Sequence, residues 1–400
     1  MGAFFVRRIF QMILVVLVSA VATYALLNLA PGGPLAGLRQ QQQSARFQIT
    51  EEDIARIRAY FELDLFLPYR FTRWLIGVPT GPMVIGGNEY FSDLVVGCRK
   101  PIESDILNED TGEYEIVITG CKEDVFMKDL VGRRSSRGIL LGDFGLSWRI
   151  LRDRPVSDLL LSRLSKTLQL IGLSTLLSLL IGVPLGVYSA VKQYSRFDYI
   201  FTSLAFMGSA MPTFFFGLLM IILFSLVPKE AGWPYVPSGL SESVRDYTIP
   251  LIGAVEAGSF KDRSLHILLP TAVLTIVNIS FYSRFVRASM LEVLRQDYVR
   301  TARAKGLSER VVILKHALRN ALIPFITIVV FTLPGLFSGA LITESIFAWP
   351  GMGRLYLLAL GDFDYPVAMA IFFILAILTV IATLMRDFLY TIADPRIRLS

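Results

Sequence analysis

Six stretches without a single Asp, Glu, Lys or Arg dominate this 400-residue chain. They run Ile9–Leu38, Thr167–Val191, Tyr199–Pro228, Ile267–Ser283, Asn320–Thr343 and Tyr365–Met385, with lengths of 30, 25, 30, 17, 24 and 21 residues. A helix rising ~1.5 Å per residue needs roughly 17 to 25 apolar residues to cross a bilayer. Six such runs are too many for a soluble core. Their apolar character is continuous rather than alternating, which excludes a membrane β-barrel. The expected fold class is an all-α membrane protein with six transmembrane helices. The fourth run is the shortest, and Arg284 and Arg287 are placed to snorkel from its end.

Charge orients the chain. With the N-terminus inside, the inner segments 1–8, 192–198, 284–319 and 386–400 carry a net +10, and the outer segments 39–166, 229–266 and 344–364 carry −4. The positive-inside rule therefore places both termini in the cytoplasm, N-in/C-in. This accounts for the pI near 9.3 without nucleic acid. The four tryptophans, Trp74, Trp148, Trp233 and Trp349, all lie in the outer segments, and the last three sit near run ends, as in an interfacial belt. Ala20-Val21-Ala22 resembles a signal cleavage site, but the apolar stretch continues past the usual ~7 to 15 residues. It is read as a retained first helix.

Three regions follow: residues 1–38, the N-terminal tip and first helix; residues 39–157, a long extracytoplasmic segment; and residues 158–400, the remaining five spans. Pro31-Gly32-Gly33-Pro34 ends the first helix. After the glutamines 40–43, Thr50 is expected to cap an amphipathic helix bearing Ile54, Ile57 and Phe61. An inserted element, about residues 78–140, contains a stretch, 89–129, with eleven acids against four bases. Ile106-Leu107, a turn at 108–112 and Tyr114 to Thr119 read as a β-hairpin. Cys98 and Cys121 bracket it. They are expected to close its base as a disulfide on the oxidising side of the membrane, the alternative being two free thiols. Gly182/Gly186 and Gly208/Pro212 suggest close helix approach, with Pro184 and Pro212 bending their helices.

The loop 284–319 holds nine bases and three acids. Asp297 is expected to cap a short helix, Tyr298 to Lys305, kept slim by Ala302 and Ala304. Gly306 would then adopt the left-handed conformation that ends a helix, and Ser308 would cap a second arm. Two readings stand: an elbow that docks into a partner, or an amphipathic helix lying on anionic lipid.

This loop, QDYVRTARAKGLSERVVILKHALRNALIP at 296–324, resembles the EAA loop of ABC-transporter permeases, and more narrowly the dipeptide/oligopeptide/nickel importer branch. Similar motifs are the opening up to Pro34, LGDFGLSWR at 141–149, RPV at 154–156, MPTFFFGLL at 211–219, TESIFAWPGMGRL at 343–355, DYP at 364–366 and ADPRIRL at 393–399. The opening resembles that of the B-type subunit. Where the general pattern has a glutamate, this chain has Arg300, and Thr301 stands for the first alanine. Phe363 replaces an arginine frequent before Asp-Tyr-Pro. The resemblance implies a type I ABC importer permease fold and a heterodimer with a second permease. It further implies two ATP-binding cassette subunits holding ATP and Mg, and an extracytoplasmic solute-binding protein. The implied solutes are peptides, nickel chelates, glutathione or oligosaccharides. The coupling residues it implies are Asp297, Tyr298, Arg300, Thr301, Ala302, Arg303, Ala304, Lys305, Gly306 and Leu307.

No phosphate-binding Gly-x4-Gly-Lys-Ser/Thr pattern occurs, so ATP chemistry belongs to a partner. His266 and His316 are too far apart for a zinc-peptidase pair, and no metal site or cofactor of the chain's own is expected. The six runs lack the ionisable group that a proton- or sodium-coupled transporter needs near midplane. Such a transporter, or a channel working without ATPase partners, is the competing reading. Gln169, Asn278 and Tyr282 are candidates for the translocation pathway or for helix–helix hydrogen bonds. Glu344 and Trp349 are candidates for an outer gate or for a structural turn at Pro350-Gly351.

Overall fold

The computed structural model describes residues 2–29, 51–107, 114–133 and 136–393. The Pro31–Pro34 cluster, the glutamines, the Thr50 cap, the 108–112 turn and residues 394–399 of the ending lie outside them. Among the described residues, six helices are long and apolar enough to span a membrane: Arg7–Asn28, Val156–Val191, Thr213–Glu230, Phe260–Leu294, Ile323–Ile346 and Tyr365–Ile392.

The elements, in chain order, are α1 (Gly2–Leu29), α2 (Glu51–Tyr60), α3 (Leu67–Ile76), the paired strands β1 (Met83–Ile85) and β2 (Asn88–Tyr90), and the ribbon of β3 (Val95–Leu107) and β4 (Tyr114–Phe126). Then come α4 (Val156–Val191), α5 (Arg196–Ala210), α6 (Thr213–Glu230) and the small hairpin β5 (Tyr247–Ile249) and β6 (Gly253–Val255). Next are α7 (Phe260–Leu294), α8 (Asp297–Ala304), a helical arm α9 over 309–321, α10 (Ile323–Ser338), α11 (Leu341–Ile346), α12 (Met352–Gly361) and α13 (Tyr365–Ala393). The chain divides into two units: Met1–Val16, Leu160–Leu358 and Ile374–Ser400 form one, and Leu17–Leu159 and Ala359–Phe373 the other.

Several spans differ from the charge-bounded runs, and two of these are informative. Tyr199–Pro228 is not one helix. Met211 turns extended (ψ 129°) before Pro212, so α5 ends at Ala210 and α6 starts afresh at Thr213. Proline lacks the N–H that would bond the preceding turn, and it disfavours helical backbone in the residue before it. Pro184, by contrast, sits inside the continuous α4. The fourth run is also not the shortest helix: α7 has 35 residues. Charge bounds an apolar run but does not stop a helix. Arg287, beyond the end of the fourth run, pairs with Asp198.

Close packing explains the small residues. A Cβ on Gly186 would lie 2.5 Å from the Ser283 carbonyl oxygen, and one on Gly208 would lie 2.9 Å from the Ser280 hydroxyl. Ser178 donates to the Thr275 carbonyl at 3.2 Å, a hydrogen bond between α4 and α7. Ala190, Tyr282, Val286, Met290, Ala317, Ala321 and Phe325 form a buried core where α4, α7, α9 and α10 meet.

The second unit is built on the ribbon's root and an aromatic cluster. Leu65, Val96, Val125, Met127 and Leu130 are buried together. Tyr24 of α1, Tyr365 and Met369 of α13 pack with Phe71, Trp74 and Trp148. The hairpin is longer than its sequence signal, with 13 residues in each strand. A disulfide joins Cys98 and Cys121, with Cα atoms 5.9 Å apart. It does not close the base, because pairing continues past it to Val95 and Phe126. Asp364, fully buried, gathers the segment 147–150. It accepts the Ser147 hydroxyl at 2.5 Å and the N–H groups of Trp148 (3.0 Å), Arg149 (3.1 Å) and Ile150 (3.0 Å).

Candidate functional site

The basic loop folds as an elbow. Gln296, not Asp297, occupies the N-cap position of α8, with extended backbone (φ −72°, ψ 149°). Asp297 is the first helical residue, where its charge complements the helix dipole. The helix ends at Ala304, one residue earlier than the spacing suggests. Gly306 has φ +76°, a left-handed conformation that costs L-residues energy. Its N–H donates to the Arg303 carbonyl at 2.9 Å and that of Leu307 to Ala302 at 3.4 Å. These two bonds form a Schellman closure, which satisfies carbonyls that the helix end leaves open.

Two contacts fix the angle between the arms. Val299, Ala302 and Val312 are buried together and pack on Val293 and Leu294, the last turn of α7. Arg303 grips Glu309 with Nη2 at 2.8 Å and Nε at 3.2 Å. The Arg303 guanidinium holds the Glu309 carboxyl below its usual range. Ala302 therefore faces inward, and does not supply a slim tip as the sequence suggests. Asp297, Tyr298, Arg300, Thr301, Arg303, Ala304, Lys305, Gly306 and Leu307 are exposed. Beyond Val311 the arm relaxes into a π-helical stretch, Val312–Leu318, before α10.

Behind the elbow lies an ion pair that sequence reasoning missed. Asp198 (α5) accepts Arg287 (α7) through Nε at 2.8 Å and Nη2 at 2.9 Å. It also accepts the Ser189 hydroxyl (α4) and the Tyr194 amide at 3.0 Å. Arg287, followed by these other donors, holds the Asp198 carboxyl well below the ordinary carboxylate range. In sequence, Asp198 reads only as one charge in a short loop, and no local spacing links it to Arg287.

The other candidates do not converge. Gln169 is exposed, Asn278 half-buried and Tyr282 buried with its ring edge-on to Phe325 at 5.5 Å. Glu344 and Trp349 are both buried and hold the turn after α11. The Glu344 carboxylate accepts the amides of Ala340 (3.1 Å) and Arg354 (3.0 Å) and the Thr167 hydroxyl (3.2 Å). Thr167 Oγ1 in turn accepts the Met352 N–H at 2.7 Å. The Trp349 indole N–H donates to the Lys166 carbonyl at 3.0 Å. A Cβ on Gly351 would lie 2.5 Å from the Glu344 carboxyl, so only glycine lets the turn close.

Residues 182–399 match the family model "Binding-protein-dependent transport system inner membrane component". The chain is 43% identical over 256 residues to the oligopeptide transport system permease protein AppB of Bacillus subtilis (strain 168), covering 64% of this chain and 76% of that one. It is 39% identical over 273 residues to the dipeptide transport system permease protein DppB of Escherichia coli (strain K12), covering 65% and 78%. Among solved structures, an inward-facing MetNI methionine ABC transporter aligns with 59% of this chain and 96% of its own, at 17% identity and a TM-score of 0.44.

Proposed function

Because the chain belongs to the family of binding-protein-dependent transport system inner membrane components, we infer that it forms half of the translocation pathway of an ATP-driven peptide importer. The chain is a multi-pass permease subunit of the cytoplasmic membrane, not an enzyme. ATPase and binding-protein subunits work with it. The finer arrangement in this reading is one copy beside a second permease, above two ATPases that bind ATP and Mg, with both termini and the elbow in the cytoplasm. Peptides are the solute class, as the names of the oligopeptide and dipeptide permease relatives suggest.

The observation that carries the coupling role is the build of the elbow. A segment lying loosely on lipid has no need of a Schellman turn, a buried inner cluster and a charged clamp across its angle. Together these make α8 a strut whose displacement passes through Val293 and Leu294 into α7. The Asp198–Arg287 pair then carries it to α4 and α5. The outward face, Tyr298, Arg300, Thr301, Ala304, Lys305 and Leu307, meets the ATPase.

Two measurements test this. Purification in mild detergent should recover a second permease and two ATPases with the tagged chain. Gly306→Pro cannot adopt φ +76° and loses the amide bond to Arg303. This variant should reach the membrane and assemble but lose uptake. Normal uptake by Gly306→Pro, or recovery of the chain alone with its neighbours expressed, would count against the coupling role.

A further inference from the structure

The second unit contains a cavity of about 580 Å³ that the coupling role does not use. That volume falls within the ~300–1,000 Å³ usual for small-molecule sites. Its walls are aromatic: Tyr24 lies 5.2 Å from Trp74, and Trp148 lies 4.3 Å from Phe61, centroid to centroid. Tyr24 and Asn28 come from the last turns of the span Arg7–Asn28, and Pro366 and Met369 from the first turns of the span Tyr365–Ile392. The cavity therefore sits where one membrane span ends and another begins, the depth at which lipid headgroups and aromatic belts lie.

Its charge is unevenly spent. Arg73 is paired with Glu62, and Arg99 with Glu123 at 2.8 Å. Of the carboxylates that face the cavity, Asp143 is taken up by the amides of Arg137 (2.8 Å) and Gly145 (3.0 Å). Asp153 accepts the Tyr60 hydroxyl and lies 4.0 Å from Arg152. Arg70 has no carboxylate partner among the described residues. Its Nε donates to the Tyr24 hydroxyl at 2.9 Å, and its terminal nitrogens have no acceptor among the described residues. Arg133 holds Asp64 with Nη1 at 3.0 Å, while its buried Nη2 has no acceptor among the described residues. A buried charged N–H without an acceptor is costly. Planar guanidinium donors match the oxygens of a phosphate better than any other common side chain.

We propose that this cavity binds a phosphate ester carrying an apolar body, the headgroup of an anionic phospholipid of the adjoining leaflet. Arg70 grips the phosphate oxygens, Arg133 Nη2 supplies a further donor, and Tyr24, Trp74 and Trp148 pack the glyceryl and first acyl carbons. A soluble phosphate ester presents the same head without the acyl chains, so the two sources separate experimentally.

The test uses the full detergent-solubilised complex, delipidated and titrated with phosphatidylglycerol or with glycerol 1-phosphate, and read by native mass spectrometry. Phosphatidylglycerol should bind in preference to phosphatidylethanolamine, and Arg70→Gln should weaken it at least tenfold. Arg70→Lys keeps the charge but loses the fork, and should fall between the two. Co-purification of partner subunits with each variant verifies assembly. Glycerol 1-phosphate binding as tightly as the lipid, and lost in Arg70→Gln, would sustain the site and assign it to a soluble ester. Equal phosphatidylglycerol binding by the parent and Arg70→Gln, or no binding of either probe, would overturn the proposal.

Discussion

The Asp198–Arg287 pair offers a quantitative test of how the elbow is anchored. Its two N–H···O contacts, at 2.8 and 2.9 Å, are charge-assisted, a class that contributes about 1.5–3 kcal/mol each. Two effects reduce that sum. The Arg287 side chain is 25% exposed, so solvent screens it, whereas that of Asp198 is only 4% exposed. Ser189 and the Tyr194 amide also keep some hold on the carboxylate after Arg287 is removed. Arg287→Met should therefore cost about 3 kcal/mol, at the lower edge of what breaking a buried pair costs. Asp198→Asn should cost about 2 kcal/mol, and the double variant about 3 kcal/mol, leaving a coupling energy near 2 kcal/mol. Denaturant unfolding in mild detergent measures all four corners of the cycle. The folded pKa of Asp198 is depressed, so its contribution is present above the unfolded carboxylate value of ~3.9 and is lost only as pH falls through the folded value. The coupling energy should thus be flat from about pH 5.5 to 8. Additive single-site costs, within about 0.5 kcal/mol, would refute the direct pairing.

Gly351→Ala forces a Cβ against the Glu344 carboxyl and should lower stability by about 1–3 kcal/mol, an overpacking cost visible in a melting curve. Asp364→Ala strips four donors of their buried acceptor and should cost about 3–5 kcal/mol, with segment 147–150 becoming sensitive to limited proteolysis. Cys98→Ser releases a link across a 23-residue separation, worth about 3 kcal/mol in the chain-entropy model. Its effect should appear as faster proteolysis of the ribbon.

Hydropathy made the number of spans legible, because the bilayer demands continuous apolar length whatever the packing. Gly306 was legible too, since a left-handed helix end restricts the residue type. The break at Pro212 was half-legible: proline flags a disturbance, and the neighbouring backbone decides between bend and break, as Pro184 within α4 illustrates. The full length of α7 was hidden because its charged ends are satisfied by contacts that no helical spacing announces, Asp262 by the Ser243 amide and Tyr247 hydroxyl and Arg287 by Asp198. In sequence, Glu344 left two readings open, an outer gate or a structural turn, because an acid beside a span end fits either. Only the converging amides and the crowding of Gly351 reveal it as a turn anchor. Ala302 and Ala304 look alike in sequence, and the helical phase that buries one and exposes the other depends on where α8 begins.

The bond between Ser147 and Asp364 joins positions 217 residues apart. A ribosome adding roughly 5–20 residues per second needs about 10–40 seconds to cover that interval. During that time, segment 147–150 has emerged but lacks its acceptor, while five spans are already being threaded. Segment 147–150 cannot complete its hydrogen bonding until Asp364, the residue before the last span, has been made. The arrival of Asp364 therefore sets the moment at which this early segment can close, and truncation ahead of it leaves the segment without its acceptor.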